Sequence, residues 1–353
     1  MCKYKITQTF IRGGYTVTIK DIARLAGVSP ATVSRVLNDP TNSFARPETR
    51  NRVWRIVEEY NFIPNSAAQI LKSGSCCRAE YTLACFISHT RNEQENPFFS
   101  RLTRSLEQAT LQYGFSIPFY FTNFIAGDPK QTEYIQSLKL DGAICIGRFQ
   151  DEKTMMLLKK RFRNLIYIGL AQADISIDQV ICDGYSAAEC AMEYLTQCGH
   201  RQIAYVGAGH KELRFLAYKA VMRAHQLPTS PAMISFCEYD GRSGYQAAER
   251  LIHRDSVCPT AIFCANDSTA IAVLHGLHNQ GLRVPEDISV ISVDDIDAAS
   301  MLTPALTTVH VPKTEMGQVA IEVLDSRIRH HRKIPIKVEL PYHLVLRETV
   351  KCL

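Results

Sequence analysis

The sequence of 353 residues predicts a small all-α helix-turn-helix module with a hinge helix, followed by a two-lobed α/β domain with parallel sheets. Three observations support this fold class. Two short amphipathic segments, separated by a glycine and a serine, lie within residues 19–38. From about Tyr81 onward, strand-like and helix-like runs alternate, which indicates parallel sheets covered by helices on both faces. The basic charge is concentrated in residues 1–78.

The net charge of +5 is unevenly distributed along the chain. Residues 1–78 contain twelve Lys and Arg and five acidic residues, so the remainder has 28 basic and 30 acidic residues. The net charge is +7 for residues 1–78 and −2 for the remainder, which indicates a polyanionic partner for residues 1–78 alone. No apolar run approaches the ~18–20 residues of a membrane helix, and the N-terminus lacks a secretory signal. We therefore expect a cytoplasmic protein with no membrane partner.

The twelve cysteines show no pattern that indicates a metal site or a disulfide framework. Cys76 and Cys77 are adjacent, and the sequence contains no C-x-x-C pair. We therefore expect reduced cysteines that mostly pack as small apolar residues.

The first predicted helix lies in "TIKDIARLAG". Its apolar residues share one face: Ile19, Ile22, Ala23 and Ala26. Thr18 is available as the N-cap, and Gly27 can adopt the positive φ that ends a helix. Ser29 can cap a second helix with Pro30 in its first turn. Two helices joined by so short a turn form a helix-turn-helix, whose second helix fits the major groove of DNA.

The second and third predicted helices complete a small core. In the second helix, Val33, Val36 and Leu37 return to the core side. A third helix, with Pro47 in its first turn, is predicted in "RPETRNRVWRIVEEYN", and the tryptophan Trp54 lies beside its apolar stripe. That stripe has the spacing i, i+3, i+4, i+7 and consists of Val53, Ile56, Val57 and Tyr60. A helical hairpin with no DNA role is the alternative interpretation.

Four ordered blocks, "TIKDIA", "AGVS", "ATVSRVLN" and "IPNSAAQILKSG", resemble the DNA-binding domain of the lactose-repressor (LacI/GalR) family of bacterial transcription regulators. The resemblance implies that Pro30, Ala31 and Arg35, exposed early in the second helix, choose the operator sequence. Arg35 can form a bidentate pair with guanine, whereas Ala31 offers only apolar contact. Five polar residues are better suited to phosphate oxygens, which set register without reading bases: Thr18, Ser29, Thr32, Ser34 and Asn38.

The segment "PNSAAQILKSG" (residues 64–74) predicts a short hinge helix bounded by Asn65 and Gly74. Such a helix is too short to be stable alone in water. The resemblance implies that two hinge helices of a homodimer lie in the minor groove of a palindromic double-stranded operator, with Leu71 wedged into the central base step and Lys72 beside it. A plain linker is the alternative.

The resemblance covers the rest of the chain and implies a periplasmic-binding-protein-like architecture with three crossings between lobes. "QCGHRQIAYVGAG" reads as one crossing. The expected boundaries, in chain order, are an N-terminal extension at 1–15, the DNA-binding domain at 16–64, the hinge at 65–76 and the effector-binding and dimerisation domain at 77–353. Within the last, lobe one takes about 81–198 and 310–340, and lobe two about 199–309 and 341–353.

Ligands in such sheets gather at the carboxyl ends of strands. There the sequence places polar residues that can bind a polyol, and an arginine beside carboxylates offers paired donors and acceptors to adjacent hydroxyls. The residues that match effector contacts in the family are Asp183, Arg214, Asn266 and Asp294, with Phe98 and Tyr239 for stacking. Each has a capping or packing role as its alternative, and Asp267 and Asp295 are expected to be helix or turn caps.

Three further residues lie at a crossing where some relatives contact the effector: His310, Val311 and Lys313. Val311 offers no polar group, so the resemblance does not extend to that contact. The combination of acids and an arginine favours a neutral sugar, such as a galactoside or glucoside, over a purine.

Signatures of enzymes are incomplete or missing from the sequence. "GAGHKE" is a partial dinucleotide fingerprint, but Glu212 in the third glycine position prevents close helix–strand packing. The sequence contains no G-x-x-x-x-G-K-[ST] loop and no G-x-S-x-G elbow, and its eleven histidines show no metal spacing. We therefore predict no catalysis, cofactor or metal.

Together these features predict a sequence-specific transcriptional regulator, most simply a repressor, controlled by a sugar-like effector and associated with the nucleoid through its operator. Effector affinity and operator affinity would then be reciprocally coupled. The alternative is a sugar-binding protein of the transport type with no regulatory role. Neither the sign of the effector response nor the identity of the effector follows from the sequence.

Overall fold

A computed structural model describes most of the chain, namely residues 19–30, 32, 33, 36, 47–59, 79–88, 96–122, 124, 128–149, 152–239, 241–252 and 259–353. The chain divides into two compact units, Met1–Cys76 and Cys77–Leu353. Each unit has a hydrophobic core of its own.

Helix α1 (Ile19–Ala26) and helix α2 (Pro47–Glu59) bound the smaller unit's core. Between them, the described residues 30, 32, 33 and 36 are also helical. Gly27 has φ +62°, and the N–H of Thr32 donates to Oγ of Ser29 at 3.1 Å, so the predicted helix end and N-cap are confirmed.

The predicted apolar faces of the smaller unit meet in one cluster. Its buried members are Ile22, Ala23, Ala26, Val33, Val36, Val53, Ile56 and Val57. Every one of them was expected on a core-facing side from helical periodicity. Burying these aliphatic side chains supplies the main driving force for so small a unit, at about 25 cal/mol per Å² removed from water.

In the larger unit, the described strands form two six-stranded sheets. The first contains β1 (Tyr81–Ser88), β2 (Phe115–Thr122), β3 (Gly142–Gly147), β4 (Leu165–Gly169), β5 (Asp178–Ile181) and β11 (Lys337–Glu339). The second contains β6 (Ile203–Gly207), β7 (Ile234–Phe236), β8 (Ala261–Cys264), β9 (Ser289–Asp294), β10 (Thr307–His310) and β12 (His343–Val345). Their orders are β11-β5-β4-β3-β1-β2 and β12-β10-β9-β8-β6-β7. Only β12, among the described strands, pairs antiparallel, so the predicted parallel sheets are confirmed.

Eight described helices cover these sheets. They are α3 (Pro97–Tyr113), α4 (Pro129–Ser137), α5 (Glu152–Arg161), α6 (Gly184–Gln197), α7 (Leu213–Ala224), α8 (Gly241–Ile252), α9 (Asp267–Asn279) and α10 (Lys313–Arg329). Helix α10 packs on α3 and on the first sheet, although it follows β10 of the second sheet. The chain therefore crosses between the lobes just after His310, and β11 and β12 require a further crossing.

The first crossing differs from the predicted one. Helix α6 packs on α7 and on strands β8, β9 and β10, so it belongs to the second lobe. The chain leaves the first sheet at Cys182 and Asp183, not near Cys198, and lobe two begins about fifteen residues earlier than expected. The physical reason is the alanine-rich face of α6, including Ala187, Ala188 and Ala191, which is fully buried and allows close packing on the second sheet.

A buried ion network holds helix α10 to the first sheet. The carboxylate of Asp178 accepts hydrogen bonds from Arg327, from Arg332 at 2.9 Å and from the N–H of Ile336 at 2.7 Å. Burial works to raise the pKa of Asp178, but the bonds from Arg327 and Arg332 outweigh it and hold that pKa below its usual value. The carboxylate is therefore paired rather than isolated in the core.

One pair of cysteines departs from the expected reduced state. Cys198, which follows α6, is joined to Cys352 near the C-terminus by a disulfide across 154 positions of sequence. Other described cysteines, including Cys85, Cys145 and Cys264, are buried in strands as small apolar residues, as predicted. Sequence spacing could not indicate the pair, because it depends on where the C-terminal segment returns.

Candidate functional site

Polar side chains from several loops converge at the carboxyl ends of β6, β8 and β9. Arg214, in the first turn of α7, is only 8% exposed. Its Nε donates to Oε1 of Glu212 at 2.8 Å, one terminal nitrogen donates to the carbonyl of Ala265 at 2.8 Å, and the other donates to the hydroxyl of Tyr239 at 2.8 Å. The guanidinium is thus fixed in one orientation by three different loops.

The environment of Arg214 keeps it charged. Burial would lower the pKa of Arg214, but neighbouring Glu212, Tyr239 and Asp294 more than compensate and raise it well above its ordinary value. The guanidinium also lies 5.2 Å from the centre of the Tyr239 ring, within the range of a cation–π contact. Glu212 in turn caps α7, because its side chain accepts the N–H of Phe215.

Asp294, the last residue of β9, faces this guanidinium. Its Oδ1 lies 4.0 Å from the nearer terminal nitrogen of Arg214, and that oxygen is buried with no hydrogen-bond partner among the described residues. Burial raises the pKa of Asp294 to about 7, against the attraction of Arg214. A buried acceptor without a partner carries a desolvation cost. A ligand that donates to Oδ1 would remove this cost.

The backbone at Asp294 and Asp295, at the end of β9, adopts an uncommon conformation. Asp294 and Asp295 have φ values of +130° and +54°, a region that side-chain-bearing residues seldom adopt. Lys313, at the start of α10, is 95% buried, and its Nζ donates to the carbonyls of Asp294, Asp295 and Val311. The lysine therefore fixes the strained end of β9 to the segment that crosses into the first lobe.

Phe98 belongs to the first lobe and lies near Lys313. The Lys313 ammonium is 5.8 Å from the centre of the Phe98 ring, and the ring is only 6% exposed. Asn96 caps α3 by accepting the N–H of Phe98 at 2.9 Å, which fixes the start of the helix that carries Phe98. The structure thus brings the predicted residues Phe98, Arg214, Tyr239 and Asp294 into one chain of contacts through Lys313.

Asp183 and Asn266 have capping roles in the structure. Asp183 begins α6, with Oδ1 accepting the N–H of Tyr185 at 2.9 Å and Oδ2 accepting the Ser186 hydroxyl at 2.6 Å. Asn266 begins α9, and its Oδ1 accepts the N–H of Thr269 at 2.9 Å. Capping was the alternative role that the sequence left open for both residues, and their contact with an effector stays a prediction.

The two acids expected to be caps form networks instead. Asp267 is fully buried and accepts the hydroxyls of Ser292 and Thr308, both at 2.6 Å, and the N–H of Ile296 at 2.7 Å. Burial raises its pKa. Asp295 pairs with Arg347 at 2.6 Å and with Nδ1 of His310 at 2.8 Å. Asp267 therefore joins the start of α9 to β9 and β10, and Asp295 joins the end of β9 to the end of β10 and to Arg347 after β12.

Glu212 was missed by the sequence analysis as a member of this site. It was considered only as the residue that spoils a dinucleotide fingerprint. Its position two residues before an arginine, at the start of a helix, was the available signal, because a carboxylate is a good N-cap and can pair with the next turn.

In the smaller unit, the structure describes three of the predicted DNA contacts. Ser29 and Pro30 are exposed and Thr32 is half-buried, at the start of the second helical segment. Arg52 and Arg55 on α2 are exposed as well. The other predicted DNA contacts lie outside the residues whose side chains the structure describes: Thr18, Ala31, Ser34, Arg35, Asn38, Asn65, Leu71 and Lys72. They stay predictions.

Two negative findings apply to the described part of the chain. It holds no group of three or more side chains that could bind a metal ion. No helix within it is both long and apolar enough to cross a bilayer.

Two protein-family models match the sequence. Residues 18–65 match the bacterial regulatory proteins of the lacI family, and residues 192–350 match the periplasmic-binding-protein-like domain. These ranges correspond to the smaller unit and to much of the larger one.

Relatives match over almost the whole length. The transcriptional repressor PurR of Aliivibrio fischeri (strain MJ11) is 31% identical over 345 residues, which cover 94% of this chain and 98% of that protein. PurR of Vibrio cholerae serotype O1 (strain M66-2) is 32% identical over 347 residues, covering 95% and 98%. Among solved structures, the regulator CelR in complex with cellobiose has a TM-score of 0.68 at 24% identity and covers 94% of this chain and 99% of its own. The operator-bound lac repressor dimer has a TM-score of 0.66 at 24% identity, covering 96% and 100%.

A helix-turn-helix unit joined to a two-lobed unit with a buried polar site defines a DNA-binding transcriptional regulator that responds to a small-molecule effector. The chain belongs to the LacI family of bacterial regulatory proteins.

Proposed function

We propose that this regulator is a repressor that acts as a homodimer on a palindromic operator and that its effector is a neutral, hydroxyl-rich molecule of the sugar class. The observation that carries the effector class is the unpartnered Oδ1 of Asp294 beside the terminal nitrogens of Arg214. The effector would bind between the lobes, with the second lobe contributing the polar contacts.

The hydrogen-bonding capacity of the site supports a polyol. Arg214 has five N–H groups, of which three are engaged by Glu212, Ala265 and Tyr239. One N–H on each terminal nitrogen therefore remains for a ligand, next to one free carboxylate oxygen. A hydroxyl group both donates and accepts, so two adjacent hydroxyls can use Asp294 as acceptor and Arg214 as donor.

The charge of the site argues against an anionic effector. The guanidinium of Arg214 already lies between the carboxyl groups of Glu212 and Asp294. A phosphate or carboxylate would bring a third acidic group to two cations, Arg214 and Lys313, that already face Glu212 and Asp294, so no cation is left over to offset its desolvation. The half-buried ring of Tyr239 would supply apolar surface for a face of a sugar ring, whereas little of Phe98 is exposed.

Solved structures support the same class of effector. The CelR structure is described as a complex with cellobiose. A LacI-family regulator from Enterococcus faecium, 25% identical with a TM-score of 0.66, is described with bound ribose. We carry the sugar class, but not a particular sugar, over to this chain.

The direction of regulation is proposed from the relatives. The PurR proteins, 31–32% identical over nearly the full length, are described as repressors. The lac repressor structure is a dimer on its operator, and a two-fold dimer of this chain would present two reading helices to two half-sites. The helix-turn-helix unit argues against the transport alternative, because a transport-type binding protein does not act on DNA.

The proposed effector class can be tested by isothermal titration calorimetry, in which cellobiose, ribose, glucose and galactosides are each titrated into the full-length protein. Glucose 6-phosphate and purine bases serve as the competing classes. At least one neutral sugar is expected to bind, and Asp294→Asn is expected to weaken its binding at least tenfold, because a neutral amide oxygen is a weaker acceptor than the carboxylate and the amide nitrogen cannot accept at all. Glu286→Gln, at an exposed carboxylate before β9, is the matched control. Binding of only the phosphate or the purine would refute the neutral-sugar proposal.

A further inference from the structure

The C-terminal segment, residues 347–353, runs along the second sheet at the amino ends of its strands. The N–H of Val290 donates to the carbonyl of Thr349 at 2.8 Å, and the N–H of Thr307 donates to the Thr349 hydroxyl at 2.9 Å. Thr349 is fully buried. The segment is therefore anchored in β9 and β10 by hydrogen bonds that do not involve sulfur.

The end of this segment lies against the end of helix α6. The N–H of Leu353 donates to the carbonyl of Cys198 at 2.8 Å, and the carbonyl of Lys351 is bonded to Nε2 of His200 at 3.0 Å. These contacts place the Cα atoms of Cys198 and Cys352 4.2 Å apart. Because these hydrogen bonds do not involve sulfur, we expect them to keep the two sulfurs adjacent when the bond is reduced.

The two cysteines differ in their access to solvent. Cys198 is 4% exposed, whereas Cys352 is exposed next to the C-terminus. An exposed cysteine with a second thiol already beside it is the usual arrangement of a redox-responsive pair, because the first thiol meets the oxidant and the second resolves the product. Cys85, Cys145 and Cys264 are buried and lack this access.

A transcriptional regulator works on DNA, in a compartment where cellular thiols keep most cysteines reduced. A disulfide in such a protein is more often transient than permanent. We propose that Cys198 and Cys352 form a reversible thiol–disulfide pair, oxidised by hydroperoxides, that covalently fixes the C-terminal segment to the second lobe.

The oxidation balances with a hydroperoxide as the two-electron oxidant. The thiolate of Cys352 attacks one peroxide oxygen, the O–O bond breaks, and a sulfenic acid forms as the alcohol, or water from hydrogen peroxide, leaves. The sulfur of Cys198 then attacks the sulfenic sulfur, the S–S bond forms, and water leaves with the thiol proton. Reduction by two equivalents of a small thiol such as glutathione returns both cysteines and yields the small-molecule disulfide.

The test uses reduced full-length protein treated with hydrogen peroxide, alkylated and mapped by mass spectrometry under non-reducing conditions. The expected product is a peptide pair joined through Cys198 and Cys352 that disappears after dithiothreitol. Closing a long loop is also expected to raise the melting temperature by roughly 5 °C on oxidation.

Single cysteine-to-serine variants show whether the cross-link and the melting shift depend on this pair of cysteines. Cys352→Ser and Cys198→Ser should each lose both the cross-linked peptide and the melting shift, whereas Cys190→Ser, at a half-buried cysteine on α6, should keep both. Cys352→Ser lies at the exposed chain end and leaves the hydrogen-bonded anchors in place, so it is expected to fold. The proposal is overturned if the folded protein forms no Cys198–Cys352 bond with peroxide, if the bond resists dithiothreitol, or if the melting temperature is the same in both redox states.

Discussion

Oδ1 of Asp294 lies 4.0 Å from a terminal nitrogen of Arg214, and it is a buried carboxylate oxygen for which the described residues provide no hydrogen-bond donor. The two groups are close enough to attract one another and too far apart to bond directly. A ligand hydroxyl that bridges them would satisfy both groups at once. This relationship is the basis of the proposed effector site, and three testable predictions follow from it.

Replacement of Arg214 by lysine should impair both the site and the stability of the second lobe. A single ammonium cannot reproduce the three bonds to Glu212, Ala265 and Tyr239, because their geometry follows the guanidinium plane. We expect effector affinity to fall at least tenfold and the free energy of unfolding to fall by about 1–3 kcal/mol. Calorimetry and urea denaturation measure the two effects. Arg283→Lys, at an exposed arginine paired with Asp287, is the matched control and should change neither by much.

The stability of the effector-free protein should depend on the ionisation of Asp294. Its pKa is raised by burial from 3.8 to about 7 in the folded state, so between these values the folded state binds a proton that the unfolded state has released. Its contribution to stability is therefore fully present below pH 3.8 and is lost as the pH rises through 7. Other acids, such as Asp178, act in the opposite direction, so the difference between the wild type and Asp294→Asn is the relevant quantity. Urea denaturation from pH 4 to pH 8 should show that difference changing steadily between about pH 4 and pH 7 and levelling off above pH 7; a difference that is constant with pH would contradict the assignment.

Effector affinity should have the opposite pH dependence. The ionised carboxylate of Asp294 is the better acceptor for a ligand hydroxyl, since hydrogen bonds to a charged acceptor are stronger than those to a neutral one. Binding is therefore expected to tighten as the pH rises through about 7. Titration calorimetry at several pH values measures this, and Asp294→Asn should abolish the dependence. An affinity that weakens over the same range would indicate that the effector prefers the protonated acid.

Asp267 should contribute to stability without contacting the effector. Removing its carboxylate by Asp267→Ala leaves the hydroxyls of Ser292 and Thr308 and the N–H of Ile296 without their acceptor in a buried region. We expect a loss of about 3 kcal/mol in the free energy of unfolding. Glu286→Ala, at an exposed carboxylate, is the control and should have little effect. A stable Asp267→Ala protein would show that these groups find other partners.

Two glycine substitutions, one in each unit, should distinguish the contributions of the two units to operator binding and stability. Gly27 and Gly281 have φ values of +62° and +76°, and a Cβ at either position would meet no atom within 4 Å. Alanine at either position therefore costs only backbone strain, about 1 kcal/mol. Gly27→Ala should weaken operator binding by destabilising the smaller unit and leave effector affinity unchanged. Gly281→Ala should lower the melting temperature of the larger unit without this loss of operator affinity, as electrophoretic mobility shifts can establish.

Much of the smaller unit could be predicted from the sequence, because its elements depend on local patterns. Apolar spacing alone placed Ile22, Val33 and Ile56 in the core, and Ser29 and Gly27 marked a helix start and a helix end. The same holds for the strands of the larger unit, since continuous apolar runs such as those of β1 and β9 are typical of strands in buried parallel sheets. Arg214 and Asp294 were identified from their positions after strands and by resemblance to the family.

Tertiary packing alone decided the remaining features. Helix α6 joined the second lobe because its alanine face fits strands β8 to β10, although its sequence is equally consistent with either lobe. Glu212 became part of the site because α7 turns it toward Arg214, and Cys198 meets Cys352 because the C-terminal segment returns along β9 and β10. The sequence determines periodicity, caps and residue chemistry, which act over a few positions. Contacts between residues separated by tens or hundreds of positions depend on how whole surfaces pack, and that information is spread over every element that shares the core.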